Sequence, residues 1–190
     1  MRLKGSETEK NLLKAFAGES QARNKYTYFA SAAKKAGFEQ ISAIFLETAE
    51  NEREHAKIFL GYLQGGYVEI TAGFPTDQIG YTEENLTHAA EGEKFEWGTL
   101  YPDFEQVARR EGFKEIADSF KEIGEVERFH EKRYRRLIVN MQNKEVFKKN
   151  VAMVWHCRNC GYIHGGKDAP KICPACKHPQ AYYEILCENY

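Results

Sequence analysis

Apolar residues recur at spacings of three and four along most of the chain before residue 141, as in helices that each bury one face. Ser6, with Glu9 three positions later, predicts the start of the first helix, and Gly37 predicts its end. A second helix is predicted over about residues 38–64, where a pair of glycines stops it. The first part of the chain is therefore predicted to be a helix hairpin.

The connection after this hairpin is about 15 residues long and rich in glycine and β-forming residues. It is too long for a simple antiparallel turn and predicts a crossover along the length of a bundle. A third helix is predicted from Thr82, with Pro102 kinking or ending it, and a fourth over about residues 113–141. The predicted fold is an all-α four-helix bundle with a long crossover between its second and third helices.

Two Glu-x-x-His pairs interrupt the apolar seams of the second and fourth predicted helices. They are Glu52 with His55, and Glu127 with His130. Residues three apart share one face of a helix, so each pair places a carboxylate beside an imidazole in the predicted core. Because buried carboxylates without partners are energetically costly, the pattern predicts that bound cations neutralise them.

The other two predicted helices also carry carboxylates in their seams. Glu19 lies in the seam of the first helix, and Glu93 and Glu96 lie in that of the third. In each half of the chain an acidic helix thus precedes a Glu-x-x-His helix, a weak repeat that duplication of a hairpin would produce. Such a ligand set is typical of a two-metal site and favours iron or manganese. The spacing of Glu96 favours a fifth carboxylate ligand over a surface role.

Composition narrows the function classes only slightly. A hydrophobic fraction of 42% suits a globular core, and a net charge of −1 gives no reason to expect binding to nucleic acid or anionic membranes. No apolar run approaches the roughly 20 residues of a membrane helix. The basic N-terminal residues are not followed by an apolar stretch, so we expect no secretory signal and a cytoplasmic protein.

All five cysteines lie in a loop-rich tail in which the helical period is lost. Two Cys-x-x-Cys motifs separated by 12 residues predict a tetrahedral thiolate site for one metal ion, zinc or iron. The four predicted ligands are Cys157, Cys160, Cys173 and Cys176. Cys187 lies outside the pattern and is interpreted as an incidental thiol. The predicted domains are a di-metal bundle over residues 1–145 and a metal-binding domain over residues 146–190.

Together, the carboxylate–histidine set and the cysteine motifs resemble the rubrerythrin family, in which a ferritin-like di-iron bundle precedes a rubredoxin-like domain. The segments from Trp155 to Tyr162 and from Cys173 to Cys176 are similar to rubredoxin, which favours iron over zinc. The resemblance covers residues 5–190 and implies a di-iron carboxylate centre and a mononuclear iron bound by four cysteines.

The resemblance also implies a role for each ligand. Glu52 and Glu127 would bridge the two irons. Glu19 and Glu96 would be terminal ligands of one iron, and on reduction that iron would exchange Glu96 for His55.

The other iron would take Glu93 and His130 as terminal ligands. Tyr26 and Tyr101 match family tyrosines near the site. A phenol that hydrogen-bonds a ligating carboxylate is a plausible role for each, and simple packing is the alternative.

The function that the resemblance implies is a peroxidase, which reduces hydrogen peroxide to water in protection against oxidative stress. Electrons would return through the cysteine-bound iron from NADH, by way of a separate reductase or rubredoxin, in a head-to-tail homodimer. One alternative is a ferritin-like ferroxidase or iron-handling protein, against which the redox tail and Glu96 argue. Another is a non-enzymatic scaffold with a structural zinc ribbon.

Overall fold

A computed structural model describes residues 2–189 as a helical bundle followed by a small β domain. The helices are α1 (Glu7–Lys35), α2 (Glu39–Tyr62), α3 (Thr82–Phe95), α4 (Tyr101–Arg110) and α5 (Lys114–Gln142). The strands are β1 (Lys148–Cys157), β2 (Ile163–Asp168) and β3 (Tyr183–Ile185). This architecture confirms the predicted fold class. Within residues 2–189, no helix combines the length and the apolar composition that spanning a lipid bilayer requires.

Helix α1 begins at the predicted cap. Ser6 Oγ accepts a hydrogen bond from the Glu9 N–H at 3.0 Å, while Glu9 Oε2 accepts one from the Gly5 N–H at 2.7 Å. The reciprocal bond of the capping box therefore reaches one residue further upstream than the usual pattern. At the other end Gly37 adopts a φ of +83°, which glycine tolerates without strain, and the chain turns there into α2.

The crossover occupies residues 63–81 and contains no regular helix or strand. It is fixed against α1 by two side chains. Lys25 Nζ lies 2.9 Å from Asp77 Oδ2, and Gln21 Nε2 donates a hydrogen bond to the Pro75 carbonyl at 3.0 Å. The crossover therefore lies along the outside of α1 and covers part of it.

The sequence predicted that Pro102 would either kink or end the third helix. In the structure the helical path continues past Pro102. The chain passes from α3 through a π-helical turn over Glu96–Leu100 into α4. The Tyr101 N–H bonds to the Glu96 carbonyl, and Pro102 lies in the first turn of α4, where its missing N–H is tolerated. A π turn inserts one extra residue, so the residues beyond it are rotated relative to a regular helix, and such turns are frequent at functional sites.

The apolar core of the bundle forms two clusters. In one, Phe45 and Tyr134 pack with ring centroids 5.2 Å apart, and in the other Phe59 and Phe120 pack at 5.1 Å. The Glu-x-x-His pairs fall between these aromatic residues along α2 and α5. The acidic side chains therefore lie at mid-length, with a packed apolar layer on each side.

The C-terminal domain is an antiparallel sheet with strand order β2-β1-β3. Trp155 is fully buried and donates a hydrogen bond from Nε1 to the Gly166 carbonyl at 2.9 Å. The domain meets the end of the bundle where Phe147 stacks on Phe38, with ring centroids 6.0 Å apart. The predicted boundary at residues 145 and 146 lies in the turn between α5 and β1 and stays a prediction.

Candidate metal centres

Two overlapping groups of buried carboxylates and imidazoles lie in the bundle, and in each the potential ligand atoms lie within 4.8 Å of one another. The first group comprises Glu19, Glu52, His55 and Glu127, and the second comprises Glu52, Glu93, Glu127 and His130. Because Glu52 and Glu127 belong to both groups, they lie where carboxylates could bridge two ions.

The first group is contributed by α1, α2 and α5. His55 Nδ1 lies 2.9 Å from Glu52 Oε2, 2.9 Å from Glu127 Oε1 and 3.6 Å from Glu19 Oε2. All four side chains are buried, with His55 the most exposed at 8%. One imidazole nitrogen thus faces three carboxylates in a region from which water is largely excluded.

The second group is contributed by α2, α3 and α5. His130 Nδ1 lies 2.7 Å from Glu127 Oε2, 3.3 Å from Glu52 Oε1 and 3.7 Å from Glu93 Oε2. The other ring nitrogen, Nε2, lies 3.3 Å from Asn51 Oδ1. If Nε2 donates to this amide oxygen, Nδ1 keeps its lone pair for a metal ion.

Many of these ligand atoms are buried without a hydrogen-bond partner in the part of the chain that the structure describes. They are Glu19 Oε2, Glu52 Oε1, Glu93 Oε2, both carboxylate oxygens of Glu127, and His130 Nδ1. An imidazole nitrogen that carries a proton can donate only one hydrogen bond, so the two histidines cannot satisfy most of the surrounding carboxylate oxygens. Buried acceptors of this kind require an explanation, and bound cations supply it. The residues present therefore fit a two-metal centre.

The pKa values of the cluster indicate an excess of negative charge. Burial raises the pKa of Glu93 to about 8, and the charge of Glu52 adds to the rise. Burial also raises the pKa of Glu52, but the neighbouring imidazoles of His130 and His55 outweigh it and lower that pKa to about 2. Burial likewise raises the pKa of Glu19 well above its usual range. Without a cation some of these carboxyls must hold protons, and two divalent ions would remove that requirement.

Two tyrosines hold the outer oxygens of the terminal carboxylates. The Tyr26 hydroxyl donates to Glu93 Oε1 at 2.5 Å, and the Tyr101 hydroxyl donates to Glu19 Oε1. In each glutamate the remaining oxygen, Oε2, faces a histidine of the site. The two phenols therefore orient these carboxylates so that one oxygen of each is available as a ligand.

Glu96 is the one predicted bundle ligand that the structure leaves outside both groups. It begins the π turn, and its Oε1 lies 3.9 Å from where a Cβ on Gly18 would be. Burial, followed by the charge of Glu19, raises its pKa well above the usual range. Its role as a fifth carboxylate ligand stays a prediction. His55, by contrast, lies in the first group, and its role as a ligand of the reduced centre also stays a prediction.

Asn51 is a residue that the sequence reasoning missed. It precedes Glu52 and therefore lies off the seam that spacing along α2 defines. Its contact with His130 joins residues 79 positions apart, on different helices. No local pattern could have indicated it, because the contact depends on how α2 packs against α5.

The four cysteines of the C-terminal motifs form the third group. The Sγ atoms of Cys157 and Cys176 are 3.8 Å apart, and those of Cys160 and Cys173 are 3.7 Å apart. A tetrahedral ion with metal–sulfur bonds of about 2.3 Å has sulfurs roughly 3.8 Å apart, whereas a disulfide requires about 2.05 Å. The backbone N–H of His178 lowers the pKa of Cys176 to about 6, which favours the thiolate. The residues therefore fit a tetrahedral metal site.

The remaining candidates of the tail lie outside this group. Cys187 is exposed and free. Three histidines of the tail, His156, His164 and His178, are half-buried. His178 Nδ1 lies 3.1 Å from the Cys176 carbonyl, so this ring packs beside the thiolates without belonging to them.

Two family models match this sequence and together span both sets of candidate ligands. The one described as rubrerythrin matches residues 10–138, and the one described as the rubredoxin-like domain of rubrerythrin matches residues 155–184. The chain belongs to the rubrerythrin family. Family membership identifies the cofactors as a di-iron centre in the bundle and a single iron in the rubredoxin-like domain, and the latter implies electron transfer with a redox partner.

Similar proteins cover nearly the whole chain. A rubrerythrin from Porphyromonas gingivalis is 57% identical over 188 residues, which are 99% of this chain and 94% of that protein. One from Nitratidesulfovibrio vulgaris is 53% identical over 188 residues, 99% of this chain and 98% of that protein. The solved structure of fully reduced, all-ferrous nigerythrin superposes with a TM-score of 0.64 at 32% identity, over 96% of this chain and 87% of that one.

Proposed function

We propose that this protein is a peroxidase that reduces hydrogen peroxide to water, with electrons drawn from NADH through a separate reductase or rubredoxin. The observation that carries the proposal is the pair of buried ligand groups sharing Glu52 and Glu127, in a chain that also has a four-cysteine site. Each peroxide takes two electrons and two protons and gives two molecules of water. When bound, two irons in the bundle supply those two electrons together, one from each, and the cysteine-bound iron passes electrons singly. We also propose that the protein is cytoplasmic.

Side chains of the bundle hold and orient the carboxylates at which this reaction would take place. Glu52 and Glu127 hold the two ligand groups together, while the hydroxyls of Tyr26 and Tyr101 fix the terminal carboxylates Glu93 and Glu19. The aromatic layers on either side exclude water, which strengthens electrostatic interactions within the site.

We propose His55 as the residue that moves during turnover. Its Nδ1 faces the shared carboxylates, but within residues 2–189 no hydrogen bond is made to its Nε2. Glu96 lies close enough to Glu19 for that charge to raise its pKa. These placements support an exchange in which His55 binds when the centre is reduced and Glu96 when it is oxidised.

A head-to-tail homodimer is part of the proposal. The rubredoxin-like domain contacts the bundle end at Phe38, and Glu52 lies 14 residues further along α2 (52 − 38). At 1.5 Å per residue this is about 21 Å along the helix axis. In the proposed head-to-tail arrangement, the four cysteines of the partner subunit would lie beside the bundle site and supply its electrons.

The proposal is tested against the ferroxidase alternative by mixing anaerobically reduced, iron-loaded protein with hydrogen peroxide or with oxygen in a stopped-flow instrument. We expect peroxide to reoxidise the protein much faster than an equal concentration of oxygen. Equal rates, or a preference for oxygen, would contradict the peroxidase proposal. A visible ferric–thiolate band that bleaches with dithionite excludes the zinc-ribbon scaffold in the same experiment.

A further inference from the structure

A cavity of about 270 Å³ opens between α1, the crossover and the π turn. Residues 71–75 of the crossover form its outer wall. Most of the remaining surface is apolar and comes from side chains such as Phe95, Leu100 and Phe104. The cavity therefore lies beside the helices that carry Glu19 and Glu93, and it is separate from the two ligand groups.

The inner wall of the cavity contacts the metal-site side chains. It includes Tyr26 and Tyr101, whose hydroxyls bind Glu93 and Glu19, and it includes Glu96. A single side chain, Tyr26 or Tyr101, thus separates the cavity from Glu93 or Glu19. The two tyrosines and Glu96 place polar groups at the inner end, and the other polar side chains of the wall are Lys14, Gln21, Lys25 and Thr71.

Gly18 of α1 keeps the passage between these walls open. A Cβ at this position would lie 3.8 Å from Phe74 Cε1 and 3.9 Å from Glu96 Oε1. A single methyl group would therefore be in ordinary contact with both, and a larger side chain would occupy the cavity itself.

The long polar side chains of α1 that reach the cavity are already hydrogen-bonded. Lys25 pairs with Asp77, and Gln21 bonds to the Pro75 carbonyl. Lys14 bonds to Glu7 and Asn11. A carboxylate or phosphate on a ligand would have to compete for these groups, so the cavity suits an uncharged molecule.

Hydrogen peroxide does not need such a space. It is slightly larger than water, whose share of liquid volume is about 30 Å³, and it gains nothing from apolar walls. Apolar cavities with a few convergent polar groups are typical binding sites for small organic molecules. We propose that this cavity binds small uncharged organic hydroperoxides and that the protein reduces them, an inference that rests on the proposed peroxidase function.

The hydrocarbon group would lie against Phe74 and Leu100, with the hydroperoxy group directed toward Glu96 and the two tyrosines. The O–O bond breaks, two electrons and two protons are taken up, and the products are one alcohol and one water. The electrons come from the same source as for hydrogen peroxide, so no further reductant is required.

The test compares cumene hydroperoxide with hydrogen peroxide as substrates of the iron-loaded protein. We expect both to be reduced, and we expect Gly18→Leu to lower kcat/KM for cumene hydroperoxide at least about tenfold more than for hydrogen peroxide, since pocket contacts discriminate by such factors. Gly61→Leu is the matched control, because Gly61 is a helical glycine at which an added Cβ would have no atom within 4 Å. It should change neither value.

A second measurement does not depend on turnover. Calorimetry with the oxidised, iron-loaded protein should detect binding of 2-phenyl-2-propanol, the alcohol product, and Gly18→Leu should abolish it. If Gly18→Leu does not fold, Phe74→Ala serves instead, since a wider cavity should accept bulkier hydroperoxides. Reduction of hydrogen peroxide without reduction of cumene hydroperoxide, no binding of the alcohol, or equal losses for both substrates would overturn the inference while leaving the proposed function intact. Failure to reduce hydrogen peroxide would overturn both.

Discussion

His55 and His130 follow their glutamates by the same three residues, yet the surroundings of their second ring nitrogens differ. His130 is 2% exposed and its Nε2 meets Asn51, whereas His55 is 8% exposed and makes no hydrogen bond at Nε2 within residues 2–189. The repeated motif therefore gives both rings the same orientation of Nδ1 toward the carboxylates. It does not give them the same freedom to move.

The acidic helices differ in a related way. The residue three positions after Glu93 is Glu96, whereas the residue three positions after Glu19 is Ala22. Only the α3 side, where the π turn begins, carries an additional carboxylate. The less restrained histidine and the extra glutamate are the two departures from the internal repeat, and they are the two residues that we propose to exchange.

The largest effect is expected from a residue that both groups share. Glu127→Ala removes a carboxylate from both groups, so the bundle should lose its two ions and peroxide turnover should fall by about a thousandfold or more. Glu125→Ala is the control, because Glu125 is an exposed residue of the same helix. Iron analysis and turnover measure the outcome, and full iron content in Glu127→Ala would show that the groups are not a shared site.

The two histidines should then respond differently. His130→Ala should lower the iron content of the bundle in both oxidation states, since this ring is restrained beside Glu127. His55→Ala should retain iron in the oxidised protein but slow peroxide turnover at least about tenfold, because a ligand to the reduced centre is lost. Iron content and turnover of both variants, with the cysteine chromophore as an internal reference, provide the measurement. Unchanged turnover in His55→Ala would contradict the proposed exchange of Glu96 for His55.

A smaller effect is expected from the contact that restrains His130. Asn51→Ala should weaken metal binding about tenfold, in the range found for residues that orient a ligating imidazole. Competition with a chelator measures the loss, and Glu54→Gln, a change at an exposed position on α2, should leave affinity unaltered. Identical affinities in Asn51→Ala and the unaltered protein would mean that the 3.3 Å contact does not orient the ring.

The smallest effect should be the same in both halves. Tyr26→Phe and Tyr101→Phe each remove one hydroxyl from a terminal carboxylate, so each should slow turnover by less than about tenfold while both ions stay bound. Similar effects of the two substitutions would mean that the two halves of the site differ only through the histidines and Glu96. A large effect of only one substitution would mean that the tyrosines also differ between the two halves.

Much of this molecule is predictable from spacing alone. The four-three seams predict the bundle and place the Glu-x-x-His pairs in its core, because helical periodicity is a local property. The four cysteines of the C-terminal group are likewise indicated by two local Cys-x-x-Cys motifs.

Three features could not be predicted in this way. Pro102 suggests a break, but the chain accommodates it after a π turn, which depends on packing against α5 as well as on local propensity. Asn51 meets a residue from a distant part of the sequence, so spacing gives no signal for it. Glu96 shares the seam spacing of Glu93, yet it lies outside both ligand groups, at the first residue of the π turn.

Crystal structures of the iron-loaded protein, determined oxidised and after reduction with dithionite, test the central claim most directly. The contrast between the two histidines predicts that His55 Nδ1 binds iron only in the reduced crystal and Glu96 only in the oxidised one. His130 should keep its iron and its contact with Asn51 in both. Identical ligands in the two states, or a displaced His130, would contradict the account.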